Sequence, residues 1–239
     1  MAIAGHLIPD LIMTSRRKIA SARSVRPALV LVATTFAATP AYADTTLDVP
    51  AKHEDKLPLL VVLHGDRERA DAAARRWRAA ARERGWAVLS LQCPRDQGCK
   101  DSWWQWNGDP AWLVAQIDAL KIPVDASRIV LVGWSGGATY IGMHAQAWSD
   151  RFAAIVIHGG GQAPLADGCP DRALPAYFLV GDKNPLHGLA TDLRDWWQGC
   201  TKDVTWDLVR GADHEHEDRA LDRKKALAIL DWLAARPRR

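Results

Sequence analysis

The 239-residue sequence lacks the signatures of several large protein classes. It has no CxxC pair, which argues against a zinc knuckle and a thioredoxin-type site. The formal net charge is only +3, too small to suggest nucleic acid as a partner. After the N-terminal segment no apolar span is long enough to cross a bilayer, and no repeat or low-complexity tract interrupts the chain. These absences leave one globular domain with a sizeable core.

The N-terminal segment has the order of an export signal. A basic stretch at 16–26 precedes the apolar stretch PALVLVATTFAATP, and AYA at 41–43 is the small-x-small pattern that signal peptidase cuts. We therefore predict a signal peptide over residues 1–43, a mature domain over 44–239, and a periplasmic or secreted location. Met13 is an alternative start. A twin-arginine signal fits less well, and the apolar stretch is short for a membrane anchor.

All four cysteines lie in the mature part, and an exported protein meets a compartment that permits disulfide bonds. Three pairings are open. We favour Cys93 with Cys99, which closes a short loop, and Cys169 with Cys200, which closes a longer one.

Segments typical of strands and helices alternate along the mature chain. Apolar runs that indicate buried strands lie at 57–65, 86–94, 128–137, 152–161, 173–181 and 203–211. Runs with helical character lie at 71–85, 109–122, 138–148, 189–198 and 217–235. This order predicts an α/β protein whose mostly parallel sheet is covered by helices on both faces.

The strongest chemical motif is GWSGG at 133–137. A serine hydroxyl is a poor nucleophile unless it is held outside the fold beside a base. A strand precedes Ser135 and a helix follows it, which is the context of a nucleophile elbow. The flanking glycines avoid collisions at the sharp turn, and the helix N-terminus offers N–H groups to an oxyanion. A glycine-rich turn without a catalytic role is the alternative.

Together these motifs resemble the α/β-hydrolase fold, a three-layer architecture. The resemblance is closest to exported esterases grouped with polyhydroxybutyrate depolymerases and feruloyl esterases, and to dienelactone-hydrolase-like enzymes. It runs from residue 57 to the end of the chain and depends on four features: LHG at 63–65, GWSGG, the strand ending at Gly181, and GADH at 211–214. It implies a serine hydrolase that cleaves carboxylic esters and needs no cofactor.

The resemblance places the catalytic base in the loop after the last strand, where GADHEHE lies. His214 has the implied position, and His216 is close enough to compete with it. A metal held by Asp213, His214 and His216 is a further alternative. Neither an HExxH motif nor another ligand cluster supports it, so we predict no metal site.

Two backbone donors are implied for the oxyanion hole. One is the N–H of Gly136, directly after the nucleophile, and the other is the N–H of Asp66 in the loop after the first long strand. We expect the histidines near these elements, His64, His144 and His158, to pack or cap and not to react.

The third catalytic residue is the open question of the sequence. In this fold the chain order is serine, acid, histidine, and the implied aspartate position holds Asn184. An amide can accept a hydrogen bond from the imidazole but offers no charge to an imidazolium. Asp182 has the charge, so we expect Asp182 and Asn184 together to hold His214. More distant alternatives are the loop acids Asp167 and Asp171.

The composition is unusual in its high tryptophan content, with twelve tryptophans in the chain. Four lie in the segment DSWWQWNGDPAW, and Trp134 lies next to the nucleophile. Loops at the carboxyl edge of a parallel sheet form the wall of the pocket, so we expect Trp134, Trp104 and Trp106 to contact substrate. Packing in the core is the alternative for each of them.

The predicted function is an exported serine esterase acting on a small-molecule or polymer ester. A serine peptidase or amidase would use the same residues, and a binding protein that lost its acid would retain the fold. No nucleic-acid or membrane partner is expected after signal cleavage, and the ester itself and the oligomeric state stay undetermined.

Overall fold

The computed structural model describes residues 45–53 and 55–239. The predicted signal peptide at residues 1–43 lies outside the described residues. Within them no helix combines the length and the apolar character that a membrane span requires.

A seven-stranded sheet in the order β1-β3-β2-β4-β5-β6-β7 forms the middle of the described part. The strands are β1 Thr46–Asp48, β2 Leu57–Leu63, β3 Ala87–Leu91, β4 Val124–Trp134, β5 Ala154–His158, β6 Ala176–Gly181 and β7 Val204–Val209. All neighbouring pairs are parallel except β1 with β3. The mostly parallel sheet is therefore confirmed. Strand β1 was not predicted, because it is a three-residue edge strand without a buried residue.

Among the described residues seven α-helices lie between or after the strands. They are α1 Ala70–Glu83, α2 Trp103–Trp106, α3 Ala111–Asp118, α4 Gly136–Met143, α5 His187–Cys200, α6 His214–Ala220 and α7 Arg223–Ala234. The prediction of a single helix at 217–235 is wrong in the number of helices, because the chain forms two there, α6 and α7. Asp213 caps α6 by accepting from His216 N, and Asp222 caps α7 by accepting from Lys225 N.

Two apolar clusters lie on opposite faces of the sheet. Along β2, Leu59 and Val61 belong to one cluster, and Leu60 and Val62 belong to the other, as the alternation of strand side chains requires. Helices α2 to α5 supply the first cluster, and α1 and α7 supply the second. Because both faces are buried, the strands have the continuous apolar runs seen in the sequence, and the three-layer architecture is confirmed.

Two disulfides connect the four cysteines in the favoured pairing. Cys93 pairs with Cys99 across 5.9 Å between Cα atoms, and Cys169 pairs with Cys200 across 5.4 Å. The second bond attaches the long loop after β5 to the end of α5.

Candidate active site

Ser135 lies at the sharp turn between β4 and α4. Its backbone has φ 50° and ψ −113°, a strained conformation for a residue with a side chain. The positions on either side of the turn hold glycines because neighbouring backbone atoms leave no room for a Cβ. A Cβ on Gly133 would lie 2.5 Å from Ala138 N, and one on Gly137 would lie 2.7 Å from His64 O. The local geometry is that of a nucleophile elbow, with the serine half-buried at its tip.

His214 lies opposite this serine, at the start of α6. Its Nε2 is 2.9 Å from Ser135 Oγ, although 79 residues separate the two in sequence. The competing residue His216 is exposed, and its Nδ1 pairs with Asp213 at 2.7 Å. Burial lowers the pKa of His214 below its usual 6.5, and the nearby carboxylates of Asp218 and Asp213 partly offset this shift. A neutral imidazole therefore faces the hydroxyl at pH 7.

The structure brings Asn184, and not Asp182, to the other side of the His214 ring. Asn184 is buried, and its Nδ2 lies 3.0 Å from His214 Nδ1. Its Oδ1 accepts from Leu186 N at 2.8 Å. Asp182 instead accepts from Gly211 N at 2.6 Å in the turn beyond β7. This geometry gives no support to the expectation that Asp182 supplies the charge. The more distant alternatives, Asp167 and Asp171, are exposed in the loop after β5.

A carboxyl group that the sequence analysis missed lies next to Asn184. Glu217 is fully buried, and its Oε2 accepts from Asn184 Nδ2 at 2.6 Å. Burial raises the pKa of Glu217 to about 7, and the hydrogen bond from Asn184 offsets part of that shift. The available signal was its spacing: three residues after His214, it shares a face of α6 with the histidine.

An aromatic stack supports the imidazole from the side. The indole of Trp134 is nearly parallel to the His214 ring, with 4.5 Å between centroids and 12° between planes. The guanidinium of Arg76 lies 5.2 Å from the centroid of the same indole. Arg76 in turn bonds Glu68 and Asp218, each at 2.5 Å. This network connects α1, the loop after β2 and α6 beneath the site.

The expected oxyanion residues come together from two segments. Gly136 begins α4, and the carboxylate of Asp66 lies directly over it: a Cβ on Gly136 would be 2.0 Å from Asp66 Oδ1. The carboxylate is held by Ser102 Oγ at 2.8 Å and by Trp104 Nε1 at 2.6 Å. In the same loop, Gly65 N donates to Glu68 at 2.9 Å.

The three tryptophans predicted to contact substrate differ in their surroundings. Trp134 packs against His214, and the indole of Trp104 is 41% exposed beside Gly136. Trp106 instead stacks on Tyr140 at 5.9 Å between centroids and donates to Gln97 O at 3.1 Å. Its ring thus packs against the core.

The three histidines expected to pack or cap bond to neighbouring groups. His64 Nε2 accepts from Cys93 N at 3.1 Å, and His144 Nε2 lies 2.9 Å from Asn107 Oδ1. Burial lowers the pKa of His158 to about 3, so this residue is neutral near pH 7. Residues 45–53 and 55–239 contain no group of three or more His, Cys, Asp or Glu side chains arranged to hold a metal ion.

No protein-family model matches the chain, and no curated protein matches it. Solved structures do resemble it. Est1E from Butyrivibrio proteoclasticus has a TM-score of 0.59 at 14% identity, with 80% of this chain and 94% of that chain covered. Esterase PE8 has a TM-score of 0.61 at 16% identity, with 80% and 98% covered.

A third similar structure is LpqC, a poly(3-hydroxybutyrate) depolymerase from Bordetella parapertussis. Its TM-score is 0.59 at 16% identity, with 78% of this chain and 83% of that chain covered. At such identities the likeness concerns architecture and not activity. Together with the seven-stranded sheet, the elbow and the histidine after the last strand, it shows that this chain has the α/β-hydrolase fold.

Proposed function

We propose that this protein is a serine hydrolase that cleaves carboxylic esters through an acyl-enzyme on Ser135. The observation that carries the proposal is the 2.9 Å contact between Ser135 Oγ and His214 Nε2 at a strained strand–helix turn. A non-glycine residue at positive φ raises the conformational free energy of the folded chain, and such strain concentrates at functional sites. A buried asparagine on the far side of the imidazole completes a serine–histidine–amide arrangement.

The reaction proceeds in two halves. His214 takes the proton of Ser135 as its oxygen attacks the ester carbonyl, and a tetrahedral oxyanion forms. The N–H groups of Gly136 and Asp66 stabilise that oxyanion. The intermediate breaks its bond to the alcohol, which leaves with the proton from His214. Water, deprotonated by His214, then attacks the acyl-serine, and the acid departs with Ser135 restored.

Asn184 orients His214 in this proposal, and Asp182 shapes the turn at Gly211. The Asn184 amide is the group within hydrogen-bond distance of His214 Nδ1. An amide carries no full charge to stabilise the imidazolium, so we expect slow turnover. In serine proteases the exchange of aspartate for asparagine lowers kcat by about 10⁴.

An ester is the proposed substrate because PE8 is an esterase and LpqC is a poly(3-hydroxybutyrate) depolymerase. The exposed indole of Trp104 lies beside Gly136 and suits contact with a flat acyl group, a sugar ring or a polymer chain, whereas Trp134 is buried with its ring stacked on His214. Export through the predicted signal peptide remains part of the proposal. The two disulfides are compatible with an oxidising compartment.

A fluorophosphonate probe tests the proposal. The probe should label the folded wild-type protein at Ser135, and Ser135→Ala should remove both the label and the hydrolysis of p-nitrophenyl esters. An amide panel beside the ester panel separates an esterase from a peptidase or amidase. A folded protein that takes no label and hydrolyses no substrate would instead support a binding protein on this fold.

A further inference from the structure

One amide atom of Asn184 faces three groups, and two of them, Glu217 and His214, make opposite demands on it. Asn184 Nδ2 lies 2.6 Å from Glu217 Oε2, 3.0 Å from His214 Nδ1 and 3.3 Å from Gly159 O. The other amide atom, Oδ1, points away from Glu217 and His214 and accepts from Leu186 N at 2.8 Å. Whichever atom faces His214 therefore also faces Glu217.

The orientation seen in the structure is unproductive for catalysis. With Nδ2 facing the ring, His214 Nδ1 must accept, so the single proton of the neutral imidazole lies on Nε2. That proton points at Ser135 Oγ, and Nε2 has no lone pair free to take the hydroxyl proton. Three groups favour this orientation: Leu186 N donates to Oδ1, while Gly159 O and a Glu217 carboxylate accept from Nδ2.

The reversed amide orientation is productive but requires a proton on Glu217. Oδ1 then accepts from His214 Nδ1–H, and Nε2 is free to act as the base. The same Oδ1 now faces Glu217 Oε2, and two acceptors at this distance repel unless the carboxyl group carries a hydrogen to donate. The reversal also turns Nδ2 towards Leu186 N–H and Oδ1 towards Gly159 O, so the hydrogen bonds from the neutral acid and from His214 have to outweigh both contacts.

We propose that Glu217 is a positioning residue that selects the tautomer of His214 through the side-chain amide of Asn184. As a carboxylate, Glu217 holds Nδ2 towards His214 and leaves Ser135 unactivated. As a neutral acid, it donates to Oδ1, which in turn accepts from His214 Nδ1–H. The activity part of this inference rests on the proposed function, whereas the tautomer itself does not depend on turnover.

The surroundings of Glu217 favour a titration near neutral pH. The side chain is fully buried, and Oε1 has no hydrogen-bond partner among the described residues. Burial is the largest cause that raises the pKa of Glu217, the charge of Asp218 adds to it, and Asn184 and the backbone amides of Gly181 and Gly159 oppose it, so that the pKa is raised to about 7.

The other charged or titratable groups around Glu217 leave this balance in place. His158 directs Nε2 at the backbone oxygen of Glu217 and is neutral, because burial lowers its pKa to about 3. His214 is neutral at pH 7. The cation Arg76 is bound to Asp218 and Glu68.

The consequence is an upper limit to the active pH range. An ordinary serine–histidine–aspartate site gains activity as its histidine deprotonates and keeps it at higher pH. Here activity should rise through the lowered pKa of His214 and fall again above about pH 7 as Glu217 ionises.

The variant Glu217→Gln tests this directly, because its side-chain NH₂ mimics the neutral acid. We expect the upper limb of the kcat/KM profile to disappear, so that at one pH unit above the wild-type limb the variant is about tenfold more active than wild type. KM should change little. Glu215→Gln is the matched control, since Glu215 is exposed on the same helix and pairs with Arg219. That control should keep the wild-type profile.

The ¹⁵N shifts of the His214 ring provide a readout that requires no turnover and no variant. In the wild type, the Nε2–H tautomer should dominate above the Glu217 titration, and the Nδ1–H tautomer should grow below it. Three results would each overturn the inference. The upper limb of the profile could persist in Glu217→Gln, that variant could be less active than wild type at every pH, or the ratio of the two His214 tautomers could stay constant with pH. If Ser135 takes no fluorophosphonate while the tautomer still switches, the proposed function fails and the role of Glu217 in positioning His214 stands.

Discussion

The ring of Trp134 stacks on the ring of His214 with 4.5 Å between centroids and an angle of 12°. The residue that precedes Ser135 thus supports the imidazole that faces the Ser135 hydroxyl. Arg76 lies over the same indole and forms an ion pair with Asp218 on α6. Helix α6, which begins with His214, is therefore held by both the ring stack and this ion pair.

We predict that Trp134→Leu lowers kcat/KM by about three- to tenfold, since an aromatic pair of this kind contributes about 0.5–1.5 kcal/mol. Trp134→Phe should retain most of the activity, because a phenyl ring still stacks on the imidazole. Ester hydrolysis and urea unfolding measured together separate a local from a global effect. Equal activity of the two variants would show that the stack does not position the base.

We predict that Asp182→Asn leaves kcat within about threefold of wild type. The asparagine oxygen can still accept from Gly211 N, and the wild-type carboxylate contacts that group and not His214. Ester hydrolysis at pH 6.5 measures the effect. A loss of about two orders of magnitude or more would restore Asp182 as the catalytic acid.

Placing a carboxylate directly on His214 should accelerate the reaction. In Asn184→Asp combined with Glu217→Gln, the new aspartate accepts from His214 Nδ1–H, Leu186 N and the glutamine NH₂. We expect kcat to rise on the order of 10²- to 10⁴-fold, the reverse of the loss known for aspartate to asparagine.

The single variant Asn184→Asp serves as the comparison for the double variant. It sets two carboxyl groups in contact, so one of them must hold a proton. Above neutral pH its increase in kcat should therefore be smaller than that of the double variant. A double variant no faster than wild type would show that charge at position 184 does not limit the reaction.

We predict that Gly133→Ala destabilises the fold by several kcal/mol or prevents folding, whereas Gly199→Ala does not. A Cβ on Gly133 would meet the backbone of α4 at 2.5 Å, and backbone cannot move aside as a flexible side chain can. Gly199 lies in α5 with nothing within 4 Å of an added Cβ. Its replacement by alanine should stabilise the helix by about 0.5–1 kcal/mol. Thermal and urea unfolding of the pair give the comparison.

The stability of the wild type relative to Glu217→Gln should depend on pH. The pKa of Glu217 is raised in the folded state from 4.5 to about 7, so the folded protein binds more protons than the unfolded chain between these values. The wild-type free energy of unfolding should therefore fall, relative to the variant, by roughly 3 kcal/mol as pH rises from 4 to 8. The His158 contribution is shared by both proteins and cancels. A pH-independent difference would show that Glu217 is not shifted.

The sequence by itself determined the α/β class and the mostly parallel sheet, and it selected Ser135 and His214 as the candidate pair. These depend on local patterns: apolar runs, helix formers, glycines at a turn, and a histidine after the last strand. The break between α6 and α7 was missed, although Asp222 is a good N-cap, because the helical pattern continues across it. The strand β1 was missed because three half-exposed residues carry no pattern.

Only the tertiary structure decided what surrounds His214. Asp182 and Asn184 are two residues apart, and the packing of the loop after β6, not their sequence, directs one side chain to Gly211 and the other to the imidazole. Glu217 meets Asn184 across 33 residues because α6 packs against β6. Such contacts depend on side-chain direction at the meeting of distant segments, which local pattern does not encode. Burial then sets the proton affinity of Glu217, and burial is a property of the folded chain alone.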